Sequence, residues 1–565
     1  MRIWIALVLF VGGLVTGSIG VVNQLENQPL DRIIASSTLL EPTTYVFIPS
    51  KVLSSYPAPV SVESLGPLVF LATGRDSDIE AWIGDSPYVE LGLRIDEEAK
   101  RAELVELVRE GTGALADPIG ADLWRSEVVG ESSAKLSAPL DGESGMLLAS
   151  NGIEEAPRAV SVVWDLPDEP GPIAPITFLA IALLIAGSIM ALWDAKDYWT
   201  KRRRKVTGPK PPKRRAPRRA VSQAGQTRKS GRRAKLAMVS ATVLSVSILS
   251  GCVPDYQSPI VSPSPLPAPQ TLTPAVTAEQ GQRILNEVIT LLQDADQTLN
   301  REVLETRASG PALEARRFEY NLVRRFTETD RDPMPLLAEP IQLFLPPATD
   351  TWPRNMLFVT GEENLQVYIL QQLGPRDKYT LYFYANLLPG ADFPEVASEL
   401  IGASQLKPDN KFLKVSPDVL AVAVGDLLNL GAESSWSLVL DPNNDYIRDV
   451  SSVQQGLVET LTNANLTFDH ALSDQVPVLL STVDGGALVG IYMVDTYRII
   501  PRSRGDAVAI SGDEAILLGS GGSASGIETR YGAMLLFYVP AAGSDERISL
   551  LAATQQLMTV EAVDD

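Results

Sequence analysis

The chain opens on an uncharged apolar run at 3–22, and further runs follow at 173–193 and 236–251. A helix needs about 20 apolar residues to cross a hydrocarbon core, so the first two runs read as membrane spans. The third is short for a span and suits the apolar region of a signal. Gly12, Gly13, Gly17 and Gly20 would let the first run pack closely against another helix. A cleaved signal peptide is the alternative at 3–22, but no A-x-A site follows it. Between the first two runs, short apolar stretches recur at 45–48, 68–72, 79–83, 88–93, 146–149 and 159–164, with Gly, Pro, Asp and Asn between them. That rhythm predicts a β-sandwich-like domain over 23–172. Within it, 97–110 reads as an inserted helix.

After residue 277 the period changes. Ile284, Leu285, Val288, Leu291 and Leu292 form one helical stripe, with Thr277 placed as its N-cap. The pair Gly310-Pro311 ends that helix, and 312–326 reads as the next one. Strands are predicted at 341–345, 355–360, 365–371 and 378–387. The order then repeats, with helices at 416–430 and 446–462 and strands at 466–471, 476–482, 487–500, 507–518, 527–539 and 548–559. Two helices followed by an antiparallel sheet, twice over, resemble tandem NTF2-like (cystatin-like) α+β modules at 278–414 and 415–565.

Charge sets the topology. Residues 201–235 hold sixteen Lys or Arg and no Asp or Glu. Such loops stay in the cytoplasm and also contact anionic lipid. The net charge of the whole chain is −21 (48 bases, 69 acids); without those sixteen bases it is −37. The folded parts are therefore strongly acidic, which argues against nucleic acid as a partner. The expected architecture is a multidomain membrane protein with two to three transmembrane segments. It comprises an anchor (1–22), an outer β-rich domain (23–172), a transmembrane helix (173–193) and a basic cytoplasmic loop (194–235). Next come a third membrane segment or lipoprotein signal (236–252), a Pro/Ser/Thr-rich tether (253–277) and the two NTF2-like domains. Residues 23–172 and 253–565 would lie outside a bacterial plasma membrane. The remaining cytosolic chain would be too short to fold a domain using ATP or a nucleotide sugar.

The third run ends in Leu249-Ser250-Gly251-Cys252. A basic block, a short apolar run and small residues before a Cys resemble a bacterial lipoprotein signal. The resemblance implies diacylglycerol on the Cys252 thiol and cleavage before Cys252. Cleavage would separate a membrane part from a lipoprotein part. Cys252 is the only cysteine, so no intrachain disulfide forms, and with one histidine neither a Cys₂His₂ nor a His₃ zinc site is possible. No cofactor is expected.

The layout from 252 onward resembles an actinobacterial family of envelope proteins and lipoproteins of unassigned activity, some labelled glycosyltransferases. The resemblance rests on Leu249 to Cys252, on Tyr379 to Pro389, and on the turn Asp484-Gly485-Gly486-Ala487-Leu488. It implies no catalytic residues.

Other motifs carry weaker chemistry. Residues 519–524 fit G-x-G-x-x-A, but a strand is predicted next, whereas a dinucleotide site needs a helix N-terminus there. His470 beside Asp469 suggests an acid/base pair, yet neighbours on a strand face opposite ways. Asp76-Ser77-Asp78 has the D-x-D form of glycosyltransferases, on the wrong side for nucleotide sugars. The acidic turn at 441–445 lacks the Gly and distal Glu of a calcium loop. Asn465-Leu466-Thr467 is a sequon only in a glycosylating host. The leading expectation is a non-enzymatic, membrane-anchored envelope protein, with the lipid bilayer and an envelope protein or glycan as partners. The alternatives are an outer-surface enzyme acting on lipid-linked sugar or glycan, and a transport or secretion accessory. Converging carboxylates in a deep cone would favour the enzyme.

Overall fold

The computed structural model describes residues 2–26, 32–96, 101–139, 141–166, 175–203, 273–325, 332–442 and 444–563. In chain order the first elements are α1 (Arg2–Glu26), β1 (Arg32–Thr38), β2 (Tyr45–Ile48), α2 (Ser50–Leu53), β3 (Val60–Leu65), β4 (Val69–Arg75) and α3 (Asp76–Ile83). Then come β5 (Tyr88–Asp96), β6 (Arg101–Arg109), β7 (Ser126–Gly130), β8 (Ser133–Ala138), β9 (Ser144–Ala149), β10 (Ala159–Asp165) and α4 (Pro175–Arg203). Beyond residue 272 lie α5 (Ala278–Thr298), α6 (Arg301–Arg307), α7 (Gly310–Arg325), β11 (Ile341–Leu345), β12 (Arg354–Thr360), β13 (Gln366–Gln372) and β14 (Thr380–Leu387). The chain ends with α8 (Pro417–Leu430), α9 (Asp445–Thr460), β15 (Ala464–Leu472), β16 (Val478–Ser481), β17 (Ala487–Pro501), β18 (Val508–Ala509), α10 (Gly512–Leu518), β19 (Gly522–Ser523), β20 (Ile527–Val539) and β21 (Ser549–Ala562). The chain forms two compact units, one of residues 1–29 and 169–270, the other of 30–168 and 271–565.

In the first unit α1 and α4 pack as an antiparallel pair. A side chain at Gly13 would meet Leu184, and one at Gly187 would meet the backbone of Ala6 and Phe10. Small residues therefore set the closeness of the pair, while Trp4, Val8, Leu192 and Trp193 stay exposed. Among the described residues no helix is long and apolar enough to cross a membrane. That overturns the expected transmembrane segments, and with them the membrane-protein fold class. Most of the expected loop, the signal-like run and most of the tether lie outside the described residues, as does Cys252.

In the second unit, residues 32–166 form a four-stranded sheet (β1-β10-β3-β8) and a six-stranded sheet (β6-β5-β2-β9-β4-β7). The two face each other across Val62, Val162 and Trp164 on one side and Val46, Leu71 and Leu148 on the other. The back of the six-stranded sheet is covered by α3, through Ile79, Trp82 and Ile83, and by Trp124. The strand predicted at 79–83 is thus a helix. Those three apolar residues stand at i, i+3 and i+4, and a packed helix buries them together. The helix predicted at 97–110 is edge strand β6, where pairing with β5 overrides helix propensity.

Residues 273–563 do not form two modules. One nine-stranded sheet runs through both predicted halves, in the order β11-β12-β13-β14-β21-β20-β17-β15, with β16 also on β17. Asn386 and Leu387 at the end of β14 pair with Ala553 and Ala552 of β21, joining the halves. Burial on both faces explains the unbroken apolar runs at 487–494 of β17 and 532–539 of β20. Leu488 and Tyr492 face a core shared with α5 and α7, and Val489 and Ile491 face one shared with α8 and α9. Thr277 caps α5, its hydroxyl accepting from Gln280 N at 3.2 Å. The strand predicted at 507–518 is instead β18 followed by α10.

Buried charge ties residues 32–166 to 273–563. Arg307 donates to both oxygens of Asp122, at 2.6 and 3.2 Å, and Asp122 also accepts from Tyr379 N at 2.7 Å. Arg354 reaches Asp78 at 2.6 Å while lying over the Trp352 ring. The four charged side chains are no more than 2% exposed.

Gly310 opens α7 at φ +51°, and a Cβ there would come within 2.3 Å of the Tyr382 ring. The expected effect of Gly310→Ala is a loss of about 1–3 kcal/mol, from left-handed strain and overpacking together, read from the urea midpoint. An unchanged midpoint would contradict that packing.

Candidate functional site

The long sheet carries a cavity on the face covered by α9. Asn444 caps this helix by accepting from Ile447 N at 2.9 Å, which places Asp445 and Tyr446 in its first turn. Asp449, four residues beyond Asp445, shares its face. In the sheet, Asp495 of β17 stands opposite Tyr531 of β20, and Tyr497 lies two residues along on the same face. Tyr446, Tyr497 and Tyr531 wall a cavity of about 580 Å³, with Asn386, Asp445, Asp449, Thr554 and Gln555 in its polar lining. Leu388, Pro389 and Val453 supply apolar wall. A neighbouring cavity of about 530 Å³ shares Asn386, Leu387, Leu388 and Pro389.

Behind the tyrosines lies a sealed polar network. His470 of β15 stands opposite Asp495 in register, and its Nδ1 donates to Asp495 Oδ1 at 2.6 Å. The Gln454 amide of α9 is hydrogen-bonded to His470 Nε2 and donates to the Tyr497 hydroxyl, each at 3.1 Å. Gln555 donates to the other Asp495 oxygen at 2.9 Å. Both ring nitrogens of His470 are thus held inside the wall, Nδ1 by Asp495 and Nε2 by Gln454. The His470 and Asp495 side chains are each 1% exposed. Helix α8 closes over the strand because Gly425 has no side chain; a Cβ there would sit 3.0 Å from His470 Cβ. Burial pushes the Tyr497 phenol up to about 12, opposed by the hydrogen bond from Gln454. Burial also raises Tyr446 well above the ordinary phenol range, aided by the charge of Asp495. Among the described residues the buried Tyr446 hydroxyl has no hydrogen-bond partner.

His470 thus has a carboxylate partner, but it is Asp495 and not Asp469, which is exposed on the opposite side of β15. Sequence reasoning missed Asp495 because only the register brings it across from the histidine. Asp76 and Asp78 lie in the first turn of α3. Asp76 accepts from Ser50 N and Oγ, and Asp78 is taken by Arg75 and Arg354, so neither is free to hold a metal. Residues 519–524 follow α10 and lead into β20, so no helix N-terminus faces a phosphate there. In the acidic turn, Asp445 begins α9 and pairs with Arg448. Asn465 accepts from Arg502 at 2.9 Å. Asp484 holds its turn by accepting from Thr482, Gly486 N and Tyr538. Among the described residues no group of three or more His, Cys, Asp or Glu could hold a metal ion.

A family model described as a domain of unknown function (DUF8094) matches residues 272–562. No curated protein and no solved structure matches the chain.

The orphaned hydroxyl yields a direct test of the network. Tyr446→Phe removes a buried donor that has no acceptor, and the expected result is a gain of about 1 kcal/mol in unfolding free energy. A comparable loss would show that the hydroxyl has a partner after all.

Proposed function

We propose that this chain, which belongs to the DUF8094 family, is a non-enzymatic binding protein of the bacterial envelope, held at the lipid bilayer by an acyl group on Cys252 and taking a glycan into the tyrosine-walled cavity. The anchoring half is supported by the sequence: a basic block, a short apolar run, Leu249-Ser250-Gly251-Cys252, and then a stretch rich in Pro, Ser and Thr. The anchor is the acyl chain.

One observation carries the binding half. The chain's only histidine is turned into the wall, with Nδ1 given to Asp495 and Nε2 capped by Gln454. It cannot exchange a proton with an occupant of the cavity. What the cavity offers instead is aromatic faces, an amide and the helix-borne carboxylates Asp445 and Asp449. Sugars use these groups: their C–H faces lie on aromatic rings and their vicinal hydroxyls donate to carboxylates. The volume is in the range of small-ligand clefts, about 300–1,000 Å³.

Calorimetric titration of the full chain with oligosaccharides released from envelope glycan tests the binding half. Saturable binding is expected, weakened about tenfold by Asp449→Ala with melting unchanged, since the side chain is exposed (76%). Affinity indifferent to that change would contradict the site. Mass spectrometry tests the anchor: a diacylglyceryl thioether on Cys252 is expected, and a free thiol in an intact chain would overturn it.

A further inference from the structure

The matched family domain begins at residue 272, yet two of its buried arginines find buried carboxylates elsewhere in the chain. Arg307 is 2% exposed and Arg354 0%, and their partners Asp122 and Asp78 both belong to 32–166. Without that segment, Arg354 would keep only its stacking on Trp352, and Arg307 would keep only Glu287, which is 43% exposed, and the Tyr379 carbonyl.

The junction has the anatomy of a protein–protein interface, an apolar centre with directional polar contacts around it. Trp352 packs against the Trp82 and Trp124 core. From the loop between β13 and β14, Arg376 reaches into the other segment. It donates to the carbonyls of Trp82, Ala114 and Ile83 at 2.7, 2.6 and 2.9 Å and to the Ser86 hydroxyl at 3.0 Å. Those carbonyls surround the C-terminal end of α3, where a helix carries partial negative charge. Gln280 and Arg283 of α5 donate to the carbonyls of Asp122 and Trp124, each at 2.7 Å. The family domain thus presents mainly arginines, which 32–166 meets with two carboxylates and a set of carbonyls, while Arg75 of 32–166 crosses the other way to Asp350 at 2.9 Å. A tyrosine or tryptophan centre with buried arginines is where binding energy concentrates in protein complexes.

We infer that this face is a self-sufficient docking surface, and that residues 32–166 and 273–563 stay together as a non-covalent pair when the chain joining them is cut. The partner this face of the family domain fits is a β-domain carrying two buried aspartates beside an exposed helix C-terminus. Here that partner is supplied by the same chain. Hydrolysis of the Gly251–Cys252 bond would therefore yield two polypeptides in one complex and would not release the N-terminal part. The inference does not depend on whether that bond is cut in the cell, or on the glycan reading.

The test uses the full chain in mild detergent, with a specific protease sequence placed between residues 262 and 267. After cutting, the two fragments are expected to co-elute 1:1 in gel filtration at about micromolar concentration. They should remain together in about 0.5 M NaCl, since buried pairs are screened little. Fragments that elute apart overturn the inference. Arg376→Ala locates the surface: the uncut variant is expected to keep the parent's circular dichroism spectrum, whereas the dissociation constant of the cut pair rises about thirtyfold. A constant unchanged within twofold would overturn the assignment of the docking face.

Discussion

Two arginine–aspartate pairs, Arg307 with Asp122 and Arg354 with Asp78, are the contacts on which the second unit depends. Charges this deeply buried are tolerated only when paired and hydrogen-bonded, because desolvation removes several kcal/mol per ion. Asp122 meets that demand with a bidentate guanidinium and the Tyr379 amide, while its own carbonyl receives Gln280. Asp78 meets it by lying between Arg75 and Arg354. Without Arg307, Asp122 would keep only the Tyr379 amide, and without Arg354, Asp78 would keep only Arg75. The first β-rich segment and the long sheet are thereby fixed in register with each other, although the chain between them is long.

The same economy of polar groups shapes the cavity wall. His470, Asp495, Gln454, Gln555 and Tyr497 satisfy one another inside the protein, so the surface they back is rigid and chemically quiet. The rings of Tyr497 and Tyr531, 5.3 Å apart, are held by the pairing of β17 with β20. Continuity of the sheet through β14 and β21 brings Leu388 and Pro389 to the opposite wall. Two separate modules could not have built that cavity, since its walls come from both predicted halves.

Local pattern revealed much of the secondary structure and little of the assembly. Continuous apolar runs marked β11, β17 and β20, and the Thr277 cap marked α5. Where two periods fit the same residues, the pattern misled: Ile79, Ala81 and Ile83 alternate like a strand, while Ile79, Trp82 and Ile83 make a helical face, and packing beneath Trp124 chose the helix. The basic, glutamate-rich stretch before Arg109 reads as helix until β5 offers it an edge. The pairing of β14 with β21 leaves no local trace, and neither does a pair such as Arg307 with Asp122, 185 residues apart. The cavity was hidden for the same reason, because its tyrosines are scattered along the chain and meet only through strand register. The glycines of the first apolar run were legible as packing sites, and Gly13 indeed lies against Leu184.

A double-mutant cycle on Asp122 and Arg307 tests most directly whether buried pairing holds the second unit together. Asp122→Ala and Arg307→Met should each destabilise the full chain by about 3–5 kcal/mol, since each takes from a buried charge its buried counter-charge. The double variant should lose far less than their sum, with a coupling of about 2 kcal/mol or more. Additive losses, or single variants that unfold like the parent, would contradict the account.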